Sequence, residues 1–362
     1  MSIHKLFIRL LIPYFDSLTN CFCSGWKCRN NLYIFDVIED FKEVKKLSEK
    51  KTEEEKEEEV EEEEKFEKYR KAGQIAVKIR KELGQLVKVG TPVIEICNRV
   101  ESLIKELGGS PAFPCNVSIN NIAAHYTSPP NDETVIEDNS IVKVDFGVHI
   151  DGFIADTAIT FDLNSGFEKL KEAAEEALRI AIENIKPGVK TNDIGKLIHE
   201  KIREYGYTPI RDLSGHLLDE YSLHGAKIIP NITLPHGEPI EVGEVYAIET
   251  FASTGSGTVH EKPYAYIYRI LPVRIPVRFS SSRKLLKLAS ERFKGLPFAE
   301  RWLVKDIPAI RLAIKELTTK GILYEYRVLA DERESMVAQA EHTIIVTEDG
   351  CEITTMGKGE EL

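Results

Sequence analysis

The 362-residue sequence lacks an apolar run of the roughly 20 residues that a membrane helix needs. The nearest candidate, Leu6 to Phe15, is short, contains Arg9 and is not followed by a small-residue cleavage site, so we expect neither a signal peptide nor an anchor. Three of the six cysteines crowd into the first thirty residues and three are scattered, which is not the pattern of a disulfide framework. The early group of Cys21, Cys23 and Cys28 has no second pair to complete a metal site. A reducing, cytoplasmic compartment is therefore expected.

Positive charge is in short supply, with 48 Lys and Arg against 59 Asp and Glu, a net charge of −11. Residues 53–64 hold ten Glu, one Lys and one Val, a net of −9, so the rest of the chain carries only −2 (−11 minus −9). Blocks of like charge repel one another and stay solvated. We therefore predict that residues 1–65 are an atypical, disordered extension, and a docking arm for a basic surface is the alternative.

The pattern from residue 66 to residue 362 is that of a folded domain that repeats itself. A helical stretch that opens at Phe66 is followed by a second helix that ends at Gly108, and a similar pair runs from Phe167 to Gly206. Strand-like sequence containing a histidine follows each pair. These features predict an α+β fold of two halves related by a pseudo-twofold, with a site between them. The alternative is that two amphipathic helix pairs resemble each other by chance.

Strand signals and a basic segment complete the domain. The predicted strands are Ile141–Phe146, Phe153–Phe161, Glu244–Phe251 and Glu341–Val346. Residues 272–330 differ in composition, because they contain thirteen Lys and Arg but only five Asp and Glu, a net of +8. A helical face there ends at Gly321, and residues 322–329 read as a strand or short hairpin. This order resembles a winged-helix module inserted into the domain.

Two aspartates lie in a predicted hairpin with apolar flanks. If Ile150 and Asp151 form the loop, Asp145 lies directly opposite Asp156, and if Asp151 and Gly152 form it, the two are diagonal neighbours. Both registers place the carboxylates on one face of the hairpin, with Cβ atoms only about 5 Å apart for directly opposed residues. Buried like charges at such a distance persist only with a shared proton or a cation. A surface hairpin with two solvated aspartates is the alternative.

Three further residues extend this pair into a set of hard ligands. His216 follows Gly215, Glu249 lies within an apolar strand, and Glu341 opens another. Four carboxylates and one imidazole suit a pair of divalent ions such as Mn, Co, Fe or Zn. Paired ions suit hydrolysis, because they polarise a carbonyl and ionise an attacking water near neutral pH.

The order Asp, Asp eleven residues later, His, Glu, Glu resembles that of the methionine aminopeptidases, specifically their type 2, archaeal and eukaryotic class. The resemblance covers residues 66–362 and implies the pita-bread fold of the creatinase and aminopeptidase group. Glu249 and Glu341 are 92 positions apart (341 − 249), which leaves room for the helical insert of type 2 enzymes. The motifs that carry the resemblance are Asn121-Ile-Ala-Ala-His125-Tyr-Thr, Lys143-Val-Asp145-Phe-Gly, Gly215-His216, Leu223-His224-Gly, Ile248-Glu249-Thr-Phe and Ala338-Gln-Ala-Glu341-His-Thr-Ile.

The resemblance implies a role for each ligand. The implied metal ligands are Asp145, Asp156, His216, Glu249 and Glu341. Asp156 and Glu341 resemble the bridging pair and Asp145 the bidentate ligand of one ion, while Glu249 is also the expected proton acceptor for the attacking water. The implied cofactors are two divalent metal ions per chain (Co, Mn, Fe or Zn).

The resemblance also implies residues that contact the substrate. His125 and His224 match the two histidines of the family that are not ligands, and an imidazole there can hydrogen-bond the scissile carbonyl and the leaving nitrogen. Phe113, Leu223 and Tyr326 match positions that line the methionine pocket, with ordinary core packing as the alternative. Residues 253–268 align poorly with the family pattern, so no pocket residue is assigned there.

The implied function is removal of the initiator methionine from nascent proteins with a small second residue. The alternatives are a peptidase like aminopeptidase P or prolidase, and a non-catalytic relative that binds the ribosome or nucleic acid. The expected partners are nascent N-termini, with the basic insert at 272–330 as a contact for the ribosome or as a part that only shapes the pocket. We expect a monomer that does not bind membranes.

Overall fold

The computed structural model describes residues 60–357 and 359–360. The extension predicted for residues 1–65, including its cysteines, lies outside the described residues except for 60–65, which are helical. The unit from Glu64 to Leu362 forms a compact body. None of the helices in the described part combines the length and apolar character that a membrane span requires.

Two helix pairs and a group of shorter helices make up the helical part. In chain order the helices are α1 (60–86), α2 (Val93–Glu106), α3 (Glu168–Asn184), α4 (Thr191–Glu204), α5 (Ser280–Phe293), α6 (Glu300–Leu303) and α7 (Ile310–Thr319). The pairs α1–α2 and α3–α4 agree with the sequence prediction. Gly108 and Gly206 follow α2 and α4 with φ of +88° and +85°, a left-handed conformation that glycine adopts without strain.

The strands form a larger and a smaller antiparallel sheet. They are β1 (Ser110–Pro111), β2 (Asn116–Ile119), β3 (Ile122–Ala124), β4 (Ser140–Ile150), β5 (Phe153–Leu163), β6 (Thr208–Pro209), β7 (Ser214–Leu218), β8 (Ile228–Pro230), β9 (Val245–Ser253), β10 (His260–Ile270), β11 (Phe298–Ala299), β12 (Leu323–Ala330), β13 (Val337–Val346) and β14 (Cys351–Ile353). The larger sheet has the order β1-β4-β5-β13-β9-β7-β8, with β2, β14 and β6 paired at its sides.

The hairpin β4–β5 adopts the second of the two predicted registers. Gly147 pairs with Asp156 and Asp145 pairs with Ala158, so the two aspartates are diagonal neighbours on one face. The loop is Asp151-Gly152, and both residues have positive φ, +52° and +98°, as a type I′ turn requires. The Asp-Gly dipeptide thus fixes the register that aligns the carboxylates.

Both helix pairs cover the same face of the larger sheet, which we call the back face. Apolar side chains of α1 and α2 pack on β4 and β5, and those of α3 and α4 pack on β9 and β13. The two halves therefore repeat one arrangement, as expected for the pita-bread fold. Because successive strand residues alternate between faces, the residues between these core positions point to the opposite side, which we call the front face.

The basic insert lies between β9 and β13 and has its own core. Residues of α5, α6, α7, β10 and β12 form that core, and the smaller sheet has the order β11-β10-β12-β3. The strand predicted at 322–329 is observed as β12, and it pairs with β10, which begins at His260, ahead of the predicted boundary. The buried Glu316 of α7 accepts hydrogen bonds from the backbone N–H groups of Arg278 and Phe279 and so anchors the start of α5.

Candidate metal centre

Five acidic and imidazole side chains converge on the front face of the larger sheet. They are Asp145 on β4, Asp156 on β5, His216 on β7, Glu249 on β9 and Glu341 on β13. Glu341 pairs with Glu249 on one side and with Ala158 on the other, and Ala158 also pairs with Asp145. Because alanine has no side chain beyond Cβ, space is left between Asp145 and Glu341 at the centre of the sheet.

Three of the five residues form a tight cluster. One ligand atom each of Asp156, His216 and Glu341 lies within 4.8 Å of the others. His216 Nε2 and Asp156 Oδ2 are 3.9 Å apart, too far for a hydrogen bond but less than twice a metal–ligand distance of about 2.0–2.2 Å. The three residues are each at most 5% exposed, so solvent does not separate them.

Burial and mutual repulsion disfavour the charged forms of these groups. Burial raises the pKa of Asp145 to about 7. Burial and the charges of neighbouring carboxylates hold the pKa values of Asp156, Glu249 and Glu341 well above their ordinary range. Burial also lowers the pKa of His216 to about 4, which keeps its imidazole neutral and able to bind a metal.

The hydrogen bonding within the cluster is incomplete. Asp145 Oδ1, Asp156 Oδ1 and Glu341 Oε2 are buried and have no hydrogen-bond partner among the described residues. Such orphaned oxygens are rare in proteins, because a buried acceptor without a partner is costly. Carboxylate oxygens together with a neutral imidazole are the donor set that divalent metal ions prefer. The residues present therefore fit a metal centre.

A half-buried cation supports the cluster from the back face. Arg80 of α1 donates hydrogen bonds to Thr157 Oγ1 and to the carbonyl oxygen of Ala158, 3.1 Å away in the second case. Thr157 Oγ1 in turn donates to the carbonyl oxygen of Glu341, at 2.8 Å. Because Arg80 lowers the otherwise raised pKa of Glu341, its positive charge offsets part of the repulsion among the carboxylates.

One cavity joins the cluster to an apolar wall. It is lined by all ten residues that the sequence singled out as ligand, catalytic or substrate-binding residues, namely Phe113, His125, Asp145, Asp156, His216, Leu223, His224, Glu249, Tyr326 and Glu341. Phe113, Leu223 and Tyr326 are each less than 10% exposed. Gly147, which pairs with Asp156, leaves room for the wall, since a Cβ there would lie 2.5 Å from the ring of Phe113.

The match to a family model and the similarity to individual proteins indicate the same family. Residues 67–348 match the model of metallopeptidase family M24. A methionine aminopeptidase of Methanocaldococcus jannaschii is 46% identical over 290 residues, which cover 80% of this chain and 98% of that protein. The chain belongs to metallopeptidase family M24 and, within it, to the methionine aminopeptidases.

Solved structures show the same fold at lower identity. A thermophilic Arx1 aligns with a TM-score of 0.70 at 22% identity and covers 81% of this chain and 91% of its own. A methionine aminopeptidase of Thermotoga maritima aligns with a TM-score of 0.60 at 24% identity, over 81% of this chain and 97% of that one. These likenesses confirm the pita-bread fold, and membership of the family confirms that the chain is a metallopeptidase that uses divalent metal.

The geometry limits what His125 can do. Its Nδ1 lies 3.1 Å from the carbonyl oxygen of Arg327, which can only accept, so Nδ1 carries the hydrogen. Burial lowers the pKa of His125, and in the neutral ring Nε2 is therefore an acceptor. The residue has a φ of +66°, and its ring packs edge-on against Tyr326, which fixes its orientation toward the cavity. Donation to a substrate carbonyl, which the sequence left open, would require a protonated ring.

Sequence reasoning missed five residues that line the cavity. They are Asn116, Ala124, Leu213, Ile267 and Pro297. Asn116 pairs with Asp145, and its Nδ2 lies 3.5 Å from Asp145 Oδ2. The sequence signal that could have identified Asn116 is a polar residue in a short strand before the hairpin that carries the ligands. Ile267 lies in the stretch that aligned poorly with the family. His342 contacts Thr355 on the back face, as its position next to Glu341 predicts.

The raised carboxylate pKa values lead to a test of stability without metal. When a chelator has removed the metal, the native protein binds more protons at Glu341 than the unfolded chain does above pH 4.5. The contribution of Glu341 to the free energy of unfolding therefore falls as the pH rises toward the pKa of the folded state. We predict that Glu341→Gln raises the thermal midpoint of unfolding of the metal-free protein by at least about 2 °C at pH 8. The increase should be smaller at pH 5. Differential scanning calorimetry measures both differences.

The matched control is Glu348→Gln, the same substitution at an exposed position seven residues further on. It should leave the midpoint unchanged at both pH values. Added Mn(II) should stabilise the wild type more than Glu341→Gln. A variant no more stable than the wild type at pH 8 would contradict the proposed repulsion.

Proposed function

We propose that the chain releases the N-terminal methionine of newly made proteins with a small second residue, by hydrolysis assisted by two divalent metal ions. The observation that carries this proposal is that a cluster of five ligand-type side chains opens into the same cavity as a wall of Phe113, Leu223 and Tyr326. The cluster suits hydrolysis, and the wall suits an apolar side chain. The family supplies the match to methionine at a chain terminus.

Charge balance supports two ions. Four ionised carboxylates carry −4, which two divalent ions neutralise and a single ion does not. We propose that Asp145, Asp156, His216, Glu249 and Glu341 would hold the ions, with Co, Mn, Fe or Zn as the metal. When bound, the ions polarise the scissile carbonyl and lower the pKa of the attacking water.

The remaining polar residues orient the substrate and move protons. Glu249, ionised once metal is bound, would accept the proton of the attacking water and pass it to the leaving amine. His125 Nε2 accepts a hydrogen bond from a substrate N–H, in accord with its tautomer. His224 lies 4.6 Å from His216, measured between ring centroids, and stacks on Tyr326, where it can contact the scissile carbonyl.

The alternatives are less favoured. A prolidase or aminopeptidase P shares the fold, but the curated relatives at nearly half identity are methionine aminopeptidases. A non-catalytic relative would not need the five ligand-type residues, all of which are present and gathered in one cavity.

Peptide hydrolysis tests the proposal. Metal-free protein titrated with Mn(II) or Co(II) should release methionine from Met-Ala-Ser. Glu341→Ala should lower kcat/KM at least about 100-fold, because it removes a proposed metal ligand. Glu348→Ala, an exposed matched control, should retain wild-type activity. Cleavage of Ala-Pro peptides without release of methionine would instead assign the chain to the aminopeptidase P group.

We also propose that the basic insert holds the enzyme near ribosomal RNA. Of its thirteen Lys and Arg, twelve are exposed, whereas of its five acids only Glu291 is exposed. The buried Glu300 and Glu316 leave the surface more basic than the composition alone indicates. A surface of this charge attracts phosphate backbones in a salt-dependent manner.

All ten proposed site residues come from one chain, which supports the proposal of an active monomer.

Co-sedimentation with ribosomes tests the role of the insert. The wild type should pellet with ribosomes at low salt and separate from them at high salt. Lys305→Glu combined with Lys315→Glu should weaken association at least about tenfold, while Lys169→Glu combined with Lys186→Glu, exposed positions outside the insert, should not. Equal binding of the two double variants would contradict the proposal.

A further inference from the structure

A buried ion pair joins the basic insert to the first helix pair. Glu101 of α2 and Arg301 of α6 are in direct contact, and their side chains are 7% and 6% exposed. Trp302, the next residue of the insert, donates its indole N–H to the second carboxylate oxygen of Glu101 at 2.7 Å. Both oxygens of one carboxylate thus hold the insert.

The same carboxylate also holds a peptide group near the cavity. Glu101 Oε1 accepts the backbone N–H of Cys115 at 3.1 Å. Arg301 donates to Thr127 Oγ1 at 2.8 Å, and Thr127 donates to the carbonyl oxygen of Cys115 at 2.7 Å. The N–H and C=O groups of Cys115 are therefore both held by a ring that contains the ion pair.

The segments held by this ring carry residues of the cavity. Cys115 lies between Phe113, which forms the apolar wall, and Asn116, which contacts Asp145. Thr127 is two residues from His125. A shift of the Cys115 peptide would therefore move the apolar wall and one neighbour of the metal centre together.

The insert side of the ion pair also reaches the cavity. Pro297, four residues before Arg301, lines it. Ala299 of β11 pairs with Ile267 of β10, and Ile267 pairs with Tyr326 of β12, so that two further lining residues are tied to the same segment. The wall is thus assembled from two separate parts of the chain.

We propose that Glu101 and Arg301 are positioning residues that hold the two halves of the methionine pocket in register. The proposal rests on the assignment of this cavity as the methionine pocket. A buried ion pair adds little net stability, because desolvation offsets the attraction, but its directional hydrogen bonds define one arrangement. The pair therefore acts on pocket geometry, and none of the five proposed metal ligands belongs to the segments that the ring holds.

Two variants test this role. Glu101→Gln replaces one carboxylate oxygen, which accepts a hydrogen bond, by an amide NH2 group, which donates. This NH2 group faces another donor, so one of the hydrogen bonds at residue 101 must break. The double variant Glu101→Leu with Arg301→Met replaces the pair by apolar groups, a change that commonly preserves folding. We expect each to raise KM for Met-Ala-Ser and the dissociation constant of L-methionine about tenfold or more, with kcat within about twofold of the wild type.

The matched control is Asp306→Asn, which breaks the 2.7 Å ion pair between Arg292 and Asp306 within the insert. That pair is partly exposed and none of its atoms lines the cavity, so KM and methionine binding should not change. A purely structural role for Glu101 and Arg301 would lower the thermal midpoint without raising KM, and that result would overturn the proposal.

Hydrogen exchange separates this inference from the proposed function. In the two test variants the amides of residues 112–118 and 125–128 should exchange at least about tenfold faster than in the wild type and in Asp306→Asn, whether or not the protein releases methionine. Unchanged exchange in these segments would overturn the positioning role. A wild type that fails to release methionine but shows the predicted exchange pattern would count against the function alone.

Discussion

The repulsion among four carboxylates on one face of a sheet is the constraint on which the rest of the structure depends. Asp145, Asp156, Glu249 and Glu341 occupy adjacent central strands, and three of them have buried oxygens without a hydrogen-bond partner in the described part of the chain. Without cations this arrangement persists only if the groups take up protons, as their raised pKa values show. The chain belongs to a metallopeptidase family, and we propose that divalent metal ions replace those protons.

The fold provides this arrangement because the two helix pairs pack on one face of the larger sheet and the carboxylates lie on the other. The back face carries the two helix pairs and most of the apolar core, so that within residues 60–357 no helix covers the centre of the front face. Arg80 reaches the strands from the back and adds a positive charge behind Glu341. The insert then encloses the front face from the side, with Pro297 and Tyr326 as walls of the cavity.

Local sequence patterns predicted the parts of the site that depend on local structure. The Asp151-Gly152 dipeptide determines the β4–β5 turn, and strand alternation then determines the face on which Asp145 and Asp156 lie. The helix pairs likewise followed from apolar periodicity. The ligand order added His216, Glu249 and Glu341, whose chemical roles remain predictions.

Contacts between distant segments could not be predicted in this way. Glu101 and Arg301 are 200 positions apart, and the sequence around each residue contains no pattern that predicts its partner. Pro297 and Ile267 line the cavity only because the insert docks against the first half of the domain. The tautomer of His125 depends on the carbonyl of Arg327, 202 positions away. Such features depend on tertiary packing and have no periodicity of their own.

The most direct test of the central claim is calorimetric titration of the metal-free protein with Mn(II) in buffers of different ionisation enthalpy at pH 6.5. The account predicts two ions per chain and a net release of protons, because the buried carboxyl groups must lose theirs to bind metal. Binding of a single ion, or binding of two without proton release, would contradict it.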